Sequence, residues 1–381
     1  MAKKQLLIIC GEASGELHAA GLVKELKKLD PEIKVSGIGS ELLRNAGGET
    51  FYDIKGLSVM GFSDVFRKLP KFLSLKKLIL AKIKAENPDA IIFVDFSGFN
   101  LRLARKINNS IPAIYYVSPQ VWASRPGRIN TIKKYIKKVI VLFKFEKEFY
   151  KKYGVEVDWT GHPLLDIVKP TMLKEELLSN LKLANDRTTL ALFPGSRKQE
   201  VERILPVMLK SANLIAKTLN AQFVIAKSMQ IGWDTYNRLI KNSGLDVKMV
   251  EGKPYDCINI ADFCLVCSGT ATLETAIMGK PFVVIYKTGL LNYLLYRSLI
   301  KVPFIGIINI ISGKKIIPEF IQFKACPVKI ANYVIRALGN PAELKSIQNN
   351  LAKIKSSLGE PGATSRAASL ILGTLCKRSL S

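Results

Sequence analysis

The chain has 381 residues, and its 57 lysines and arginines against 31 aspartates and glutamates give a net charge of +26 at pH 7. Hydrophobic residues make up 48% of the sequence, which excludes a disordered basic tail and predicts about two to three domains with their own cores. Because charge of this size has to lie on the surface, we expect an anionic partner: nucleic acid, phospholipid or a phosphorylated substrate.

Short β-rich apolar runs alternate with longer helical patterns along the chain. The runs occupy residues 5–10, 90–94, 113–117 and 139–143, and then 189–193, 222–226, 263–266 and 281–286. Strands that alternate with helices predict parallel sheets covered on both faces. Since there are two such series, the sequence predicts an α/β protein with two doubly wound, Rossmann-like domains.

A glycine and two prolines near residues 161–174 predict the domain boundary. We therefore expect a first domain over residues 1–165 and a second over residues 166–340. Residues 341–381 show only helical patterns and are expected to pack back on the first domain.

Six cysteines are present, and Cys264 and Cys267 form one Cys-x-x-Cys pair. No second pair and no nearby histidine completes a zinc site, so thiols buried in a strand are favoured over metal ligands. The lysines after Met1 lead directly into a short strand, which does not resemble a secretory signal and indicates a cytoplasmic protein.

In open α/β sheets, ligands bind beyond the carboxyl ends of the strands, so the loops there are the candidate sites. The first strand ends in a glycine turn with Glu12 and Ser14, which suits sugar hydroxyls better than phosphate; an ordinary strand-to-helix turn is the alternative. Asp95 follows a buried strand and is either a helix cap or a general base. Spacing alone favours the helix cap.

A third strand end in this half carries Gln120, Trp122 and Arg125. Aromatic rings beside arginines can hold a sugar phosphate, and they can equally pack a corner of the fold. The sequence leaves both interpretations open.

Two loops in the second half have the composition of anion sites. The loop at Ser196 and Arg197 offers backbone amides, a hydroxyl and a guanidinium to a diphosphate. A second strand ends before a helix whose free N–H groups form a phosphate cradle, with the residues Ser268, Gly269, Thr270 and Thr272. Glu274, one turn into that helix, can accept both hydroxyls of a ribose, although a capping box would place the same residue types here. Together the two loops predict a nucleotide-diphosphate site.

At these residues the chain resembles the lipid-A-disaccharide synthases, the glycosyltransferases of lipopolysaccharide assembly. The resemblance runs from about residue 6 to residue 322 and rests on motifs in the order of that family. They are GEASGE at 11–16, MGF at 60–62, SPQVWASRPGRI at 118–129, GHPLLD at 161–166, FPGSR at 193–197 and SGTATLE at 268–274.

The resemblance implies a glycosyltransferase-B fold, in which two domains face a cleft. It implies transfer of 2,3-diacylglucosamine from UDP-2,3-diacylglucosamine to 2,3-diacylglucosamine 1-phosphate, with inversion and release of UDP. Asp95 maps to the general base for the acceptor 6-hydroxyl and Arg197 to the diphosphate-binding arginine. Glu274 and Asn309 map to donor-binding positions. The residues placed on the acceptor side are Glu12, Ser14, Gln120, Trp122 and Arg125.

One departure from the family lies beside the expected base. The family pattern Asp-x-Pro-Asp-Phe-Asn is here Asp95-Phe96-Ser97-Gly98-Phe99-Asn100. Asp95 is thus the only candidate base in this loop, in a turn that lacks the proline. The family often has tryptophan where Ser124 stands, so the acceptor-side wall is expected to differ.

No cofactor and no metal are expected, because Arg197 and two helix N-termini can supply the positive charge that departing UDP requires. A basic and apolar segment, residues 65–85, is expected either to contact an anionic membrane surface or to be a core-facing helix with a solvated edge. The residues singled out for membrane contact are Phe66, Leu69, Phe72, Leu75, Lys76 and Lys77.

The expected location is therefore the cytoplasmic face of the inner membrane of a Gram-negative bacterium, as a peripheral protein. A second copy of the chain is a further candidate partner. The charge alone would suggest a nucleic-acid-binding protein, but no basic stretch with interleaved aromatic residues supports that class. A closer alternative is another glycosyltransferase-B protein, a UDP-GlcNAc-dependent transferase or epimerase.

Overall fold

The computed structural model describes residues 3–54, 57, 69–290, 293–294 and 302–376. It divides into two compact units. The first unit holds the described residues up to Asp166 and from Leu358 onward, and the second holds those between Ile167 and Ser357.

Both units are built from alternating strands and helices. The strands are β1 (Gln5–Ile9), β2 (Lys34–Gly39), β3 (Glu49–Asp53), β4 (Ala90–Val94), β5 (Ala113–Tyr116), β6 (Lys138–Val141), β7 (Asp158–Trp159), β8 (Thr188–Phe193), β9 (Ala221–Lys227), β10 (Val247–Glu251), β11 (Phe263–Cys267), β12 (Phe282–Tyr286) and β13 (Glu319–Ile321). The helices of the first half are α1 (Ala13–Leu29), α2 (Glu41–Asn45), α3 (Leu69–Glu86), α4 (Ser97–Ile107), α5 (Ile129–Tyr135), α6 (Lys144–Lys151) and α7 (Leu164–Ile167). Those that follow are α8 (Lys174–Asn180), α9 (Lys198–Ala216), α10 (Trp233–Lys241), α11 (Pro254–Ile260), α12 (Thr270–Ile277), α13 (Ile307–Ser312), α14 (Pro327–Leu338), α15 (Pro341–Ser357) and α16 (Ala363–Cys376).

The sheet of the first unit has the order β3-β2-β1-β4-β5-β6-β7, and its strands are parallel. The direction of winding reverses between β1 and β4, and such a reversal opens a crevice at the carboxyl ends of the two strands. The loops that leave this point carry Glu12 and Asp95.

The sheet of the second unit repeats the scheme in the order β10-β9-β8-β11-β12-β13, again with parallel strands. Here the reversal falls between β8 and β11, whose loops carry Arg197 and Ser268. The prediction of an α/β protein with two doubly wound domains is confirmed.

The central strands of the first sheet are apolar on both faces because helices cover both. Leu7 and Phe93 face a core with α3 and α4, whereas Leu6 and Ile92 face a second core that includes Ile371 of α16. In the second unit, Cys264 and Cys267 are buried in β11, which confirms the interpretation of this pair as core thiols.

The two C-terminal helices belong to different units, although both were expected to pack on the first domain. Helix α16 packs on α1 in the first unit, but α15 packs on α12 and α14 in the second. The buried stripe of α15, which contains Ile347, Leu351 and Ile354, was visible in the sequence. Such a stripe shows that a helix is covered, but it does not show by which element.

Helix α3 corrects part of the predicted membrane-contact set. Leu75 is only 1% exposed and belongs to the core, and Phe72 is half-buried against Phe96 and Phe99. Leu69 is 40% exposed and Lys77 is also exposed, while Lys76 is half-buried. Position 66 and the MGF motif at 60–62 lie outside the described residues.

The spacing of apolar residues on α3 did not separate its inner face from its outer one, because lysines lie within the apolar arc. Leu73 and Leu78, at 48% and 38% exposure, are the apolar residues that α3 presents outward together with Leu69. Among the described residues, no helix has the length and apolarity that crossing a membrane requires.

Candidate active site

The loops after β1 and β4 are packed directly on each other. A Cβ atom on Gly11 would lie 2.3 Å from the ring of Phe96, and one on Gly15 would lie 3.6 Å from the Cβ of Asp95. The glycine at position 11 therefore lets the Asp95 loop lie against the start of α1, whereas a Cβ on Gly15 would make only an ordinary contact. Glu12 and Ser14, both half-buried, stand in the same turn.

Asp95 is held in a backbone conformation that few side chains adopt. Both Asp95 and Phe96 have φ of 48°, in the left-handed region. The Tyr115 hydroxyl and the Asn100 side-chain amide donate hydrogen bonds to the Asp95 carbonyl oxygen, at 2.5 and 2.8 Å. The capping position of α4 is occupied by Phe96, so the structure does not support Asp95 as a helix cap. Left-handed non-glycine residues held by such contacts are typical of functional sites.

The two positions at which this loop departs from the family pattern lie in the first turn of α4. Ser97, which replaces the proline, accepts a hydrogen bond on its hydroxyl from Arg128 at 2.8 Å. Gly98, which replaces the second aspartate, is exposed. The loop is therefore tied to the segment around Arg125 by a side-chain contact that a proline would lack.

The loop with Trp122 is organised by a buried acid that the sequence interpretation missed. Glu146 in α6 accepts hydrogen bonds from the indole N–H of Trp122 at 3.0 Å and from the backbone N–H of Phe143 at 3.0 Å. Burial raises the pKa of Glu146 to about 7, against the effect of these hydrogen bonds. The sequence signal for this role is the position of Glu146 three residues after Phe143, because an acid at the third position of a helix can accept a hydrogen bond from the backbone N–H of the capping residue. Gln120 in the same loop is exposed.

The second acid of the GEASGE motif has a structural role. Glu16 is 2% exposed, and its carboxylate accepts hydrogen bonds from the Ser40 hydroxyl at 2.5 Å and the Leu43 backbone N–H at 3.1 Å. It thus ties the loop before α2 to α1. Glu12 is the acid of this turn that stays at the edge of the sheet.

In the second unit, the turn after β8 is closed by Glu200. Its carboxylate accepts hydrogen bonds from the backbone N–H groups of Ser196 and Arg197, at 3.1 and 3.2 Å, and from the Arg197 guanidinium at 3.2 Å. Glu200 thus lies at the positive end of α9, where an acid is favoured. The two amides that the sequence analysis offered to a diphosphate are occupied, and the exposed Ser196 hydroxyl and the half-buried Arg197 side chain are the groups that face outward.

In the turn after β11, one hydroxyl group is buried and hydrogen-bonded within the fold, and the others are at least partly exposed. Thr272 is 1% exposed, and its hydroxyl donates to the Gly269 carbonyl oxygen at 2.7 Å. Thr272 therefore shapes the turn, and its place among the donor-binding residues stays a prediction. Gly269 and Thr270 are exposed and Ser268 is half-buried, and a Cβ on Gly269 would meet no atom within 4 Å. This turn is open to an anion at the start of α12.

Glu274 lies one turn into α12, where the Tyr255 hydroxyl donates a hydrogen bond to it at 3.2 Å. Burial raises the pKa of Glu274 to about 7. A carboxylate with a pKa near neutrality changes its charge in the physiological range, which is a feature of functional sites.

Asn309, for which the resemblance implies a donor-binding role, makes its hydrogen bonds within the fold. It is fully buried, and its side-chain amide donates to the Ile317 carbonyl and to Glu319, each at 2.8 Å. Its side-chain oxygen accepts from the backbone N–H groups of Ile316 and Ile317, each at 2.9 Å. Because its donors and its oxygen are used within the fold, Asn309 holds the segment before β13 in place.

Asn309→Ala is expected to lower the melting temperature of the second unit. The substitution leaves buried N–H and C=O groups without partners, at a cost of about 3 kcal/mol. For a unit of this size that corresponds to a shift of roughly 6 to 12 °C, measured by calorimetry. Exposed Asn242→Ala is the matched control. An unchanged melting temperature with lost nucleotide affinity would instead return Asn309 to the donor site.

The comparisons with known proteins agree with the motifs. The family model of lipid-A-disaccharide synthetase matches residues 6–372. The lipid-A-disaccharide synthase of Syntrophus aciditrophicus is 42% identical over 100% of both chains, and that of Geobacter sulfurreducens is 38% identical over 98% of both.

Among solved structures, the UDP-GlcNAc 2-epimerase of Neisseria meningitidis, bound to UDP-GlcNAc, has a TM-score of 0.67 at 14% identity. The similarity covers 98% of this chain and 100% of that one. The calicheamicin glycosyltransferase has a TM-score of 0.61 at 14% identity, over 98% and 99% of the two chains. At such identities the similarity concerns the fold alone. The family model and the full-length relatives decide the classification: the chain belongs to the lipid-A-disaccharide synthase family.

Proposed function

We propose that the protein transfers 2,3-diacylglucosamine from UDP-2,3-diacylglucosamine to 2,3-diacylglucosamine 1-phosphate. The products are the β-1,6-linked disaccharide 1-phosphate and UDP. Its membership of the lipid-A-disaccharide synthases supports this reaction. The observation that carries the mechanism is Asp95, held in a left-handed conformation at the carboxyl edge of the first sheet.

In this mechanism Asp95 is the general base. Its carboxylate takes the proton of the acceptor 6-hydroxyl as that oxygen attacks the anomeric carbon of the donor. The bond to UDP breaks on the opposite face of the sugar, so the configuration at the anomeric carbon inverts. The contacts of Tyr115 and Asn100 to the Asp95 backbone fix the direction from which the base approaches.

The donor is bound by the two turns of the second unit. We assign the diphosphate to the Arg197 guanidinium with the Ser196 hydroxyl, and to the open turn at Ser268, Gly269 and Thr270. Arg197 is oriented by Glu200, so its remaining donors are directed before UDP arrives. Positive charge at these points stabilises the negative charge that develops on departing UDP.

Glu274 is assigned to the ribose hydroxyls, and this assignment predicts a pH dependence of UDP binding. Only the ionised carboxylate accepts hydrogen bonds from both hydroxyls, and its raised pKa of about 7 keeps it protonated in acid. The Kd for UDP should therefore fall about tenfold between pH 6 and pH 8 and level off above that range. Isothermal titration calorimetry across this range measures the effect.

Glu274→Gln serves as the control for that titration. The phosphate of UDP itself ionises with a pKa of about 6, and the variant retains that contribution alone. A Kd that varies with pH equally in the wild type and in Glu274→Gln would contradict the role of Glu274.

The diacylated substrates lead us to propose a peripheral position on the cytoplasmic face of the inner membrane. Exposed Leu69, Leu73 and Leu78 of α3 offer apolar contact, and Lys71 and Lys77 lie beside them. Each basic side chain near an anionic bilayer contributes about 1 kcal/mol. The net charge of +26 is consistent with such a surface.

An assay of UDP release with diacylated and unacylated glucosamine substrates tests the proposed function. We expect turnover with the diacylated pair and at most traces with the unacylated pair. Equal use of both pairs would remove the lipid substrates and favour a UDP-GlcNAc-dependent transferase instead.

A further inference from the structure

A cavity of about 390 Å³ lies in the first unit beside the Asp95 loop. It is bounded on one side by α4, from Ser97 to Arg105, and on the other by the segment from Arg125 into α5. Four of its lining residues are arginines, each with its own guanidinium group: Arg102, Arg105, Arg125 and Arg128.

The charge around this cavity is uncompensated by the described part of the chain. None of its lining residues is acidic. No carboxylate among the described residues forms an ion pair with any of the four arginines. Burial, and then the charges of Arg125 and Arg102, lower the pKa of Arg128, so these two guanidinium groups are near enough to repel that of Arg128. Like charges that converge without an acid are unfavourable, and an anion in the cavity would relieve their repulsion.

Two of the four arginines are already oriented by neighbouring hydroxyl groups. Arg105 donates to the Thr131 hydroxyl at 2.6 Å, and Arg128 donates to the Ser97 hydroxyl at 2.8 Å. Each guanidinium carries five N–H donors, so several stay available after these bonds. A planar fork that is fixed in advance matches the oxygen atoms of a phosphate.

The cavity lies close to the proposed base, because one of its lining residues is Ser97. Ser97 follows Asp95 by two positions, so their Cα atoms lie within about 7 Å of each other. In the acceptor, the carbon that bears the 6-hydroxymethyl group and the anomeric carbon that bears the phosphate both flank the ring oxygen, so the two groups lie at the same edge of a single pyranose ring. An acceptor whose 6-hydroxyl meets Asp95 therefore carries its phosphate within one sugar width of that residue, and Ser97, at the edge of the arginine-lined cavity, lies within the same range.

We propose that these four arginines bind the phosphate monoester on the anomeric carbon of the acceptor, and that they thereby select a phosphorylated sugar over its unphosphorylated form. This inference rests on the proposed function and specifies how one substrate is recognised. The arginines act as binding residues, and the proton transfer itself stays with Asp95.

The test compares Arg102→Gln and Arg125→Gln with wild type on 2,3-diacylglucosamine 1-phosphate and on unphosphorylated 2,3-diacylglucosamine. Both acceptors are presented in uncharged detergent micelles and, in parallel, in vesicles of anionic phospholipid, and disaccharide formation is measured. We expect each variant to raise KM for the phosphorylated acceptor about tenfold to one-hundredfold, as loss of a charged hydrogen bond does, with little change in kcat. The kcat/KM for the unphosphorylated acceptor should stay as in wild type.

Lys106→Gln is the matched control, because it removes one positive charge from the same helix at an exposed residue that does not line the cavity. It should leave KM for both acceptors unchanged. Melting temperatures of all variants are measured alongside, so that loss of fold is recognised as such.

Three results would separate the alternatives. No disaccharide from either acceptor with wild type would refute the proposed function itself. Wild-type transfer with equal KM for the two acceptors would leave that function standing and overturn the inference. Variants that lose activity equally with both acceptors, and only on vesicles of anionic phospholipid, would assign the arginines to lipid headgroups and would also overturn it.

Discussion

Asp95→Asn is expected to lower kcat for disaccharide formation by about three orders of magnitude, the usual contribution of a positioned general base. The amide is nearly isosteric but cannot take the proton of the acceptor hydroxyl. Because the contacts from Tyr115 and Asn100 reach the backbone oxygen of residue 95, the substitution leaves them in place. The melting temperature and the KM for both substrates should therefore change little, and initial rates of UDP release measure the effect.

The matched control is Asp186→Asn, which removes an exposed acid of the second unit. It should have the kcat of the wild type. Near-wild-type turnover by purified Asp95→Asn would show that another group takes the proton, and the mechanism proposed above would then be wrong.

Arg197→Ala is expected to lower kcat by about two to three orders of magnitude, as loss of one group that stabilises a leaving anion does. The loss should appear in kcat more than in KM for the acceptor, since Arg197 is assigned to the charge that develops on UDP. The Kd of UDP should rise together with this loss. Steady-state kinetics and calorimetry on the same preparation measure the two effects.

Arg238→Ala is the corresponding control, because Arg238 is a largely exposed arginine of the same unit that pairs with Glu202. A surface ion pair contributes less than about 1 kcal/mol, so neither stability nor kcat should change noticeably. If Arg197→Ala raised the acceptor KM and left UDP affinity intact, Arg197 would belong to the acceptor and not to the donor.

The elements of the fold were predictable because each strand is a short apolar run and each helix has its own periodicity. Asp95, Arg197 and Ser268 were found as candidates for one reason. Asp95 and Ser268 follow a buried strand directly, Arg197 lies in the turn after one, and the carboxyl ends of strands next to a winding reversal lie at one edge of a parallel sheet. These predictions used local sequence and a rule of topology, and they needed no knowledge of side-chain packing.

The sequence could not show which polar atoms form hydrogen bonds within the fold itself. Asn309 and Thr272 have the composition of ligand-binding residues, yet their hydrogen bonds go to neighbouring backbone groups. Glu200 likewise takes the amides of the turn after β8. Such partners depend on loop geometry of a few ångströms, which residue types do not encode one by one.

The arginine-lined cavity illustrates a second limit. Arg125 was visible beside aromatic residues in one loop, whereas Arg102 and Arg105 belong to a helix that begins after another strand. Only the packing of α4 on α5 brings these side chains around the same space. The burial of Leu75 has the same origin, because packing decided which side of α3 faces the sheet.

The two successive left-handed residues at Asp95 and Phe96 have a consequence for how this protein can be modified. Each non-glycine residue in that conformation costs about 1 to 2 kcal/mol, which neighbouring contacts have to offset. Selection for thermostability alone would favour substitutions that relax this segment, and those variants would lose turnover as they gain heat resistance. Directed evolution of a hardier enzyme therefore has to leave the loop and the glycine at position 11 untouched and seek its gains elsewhere, for instance on the exposed face of α15.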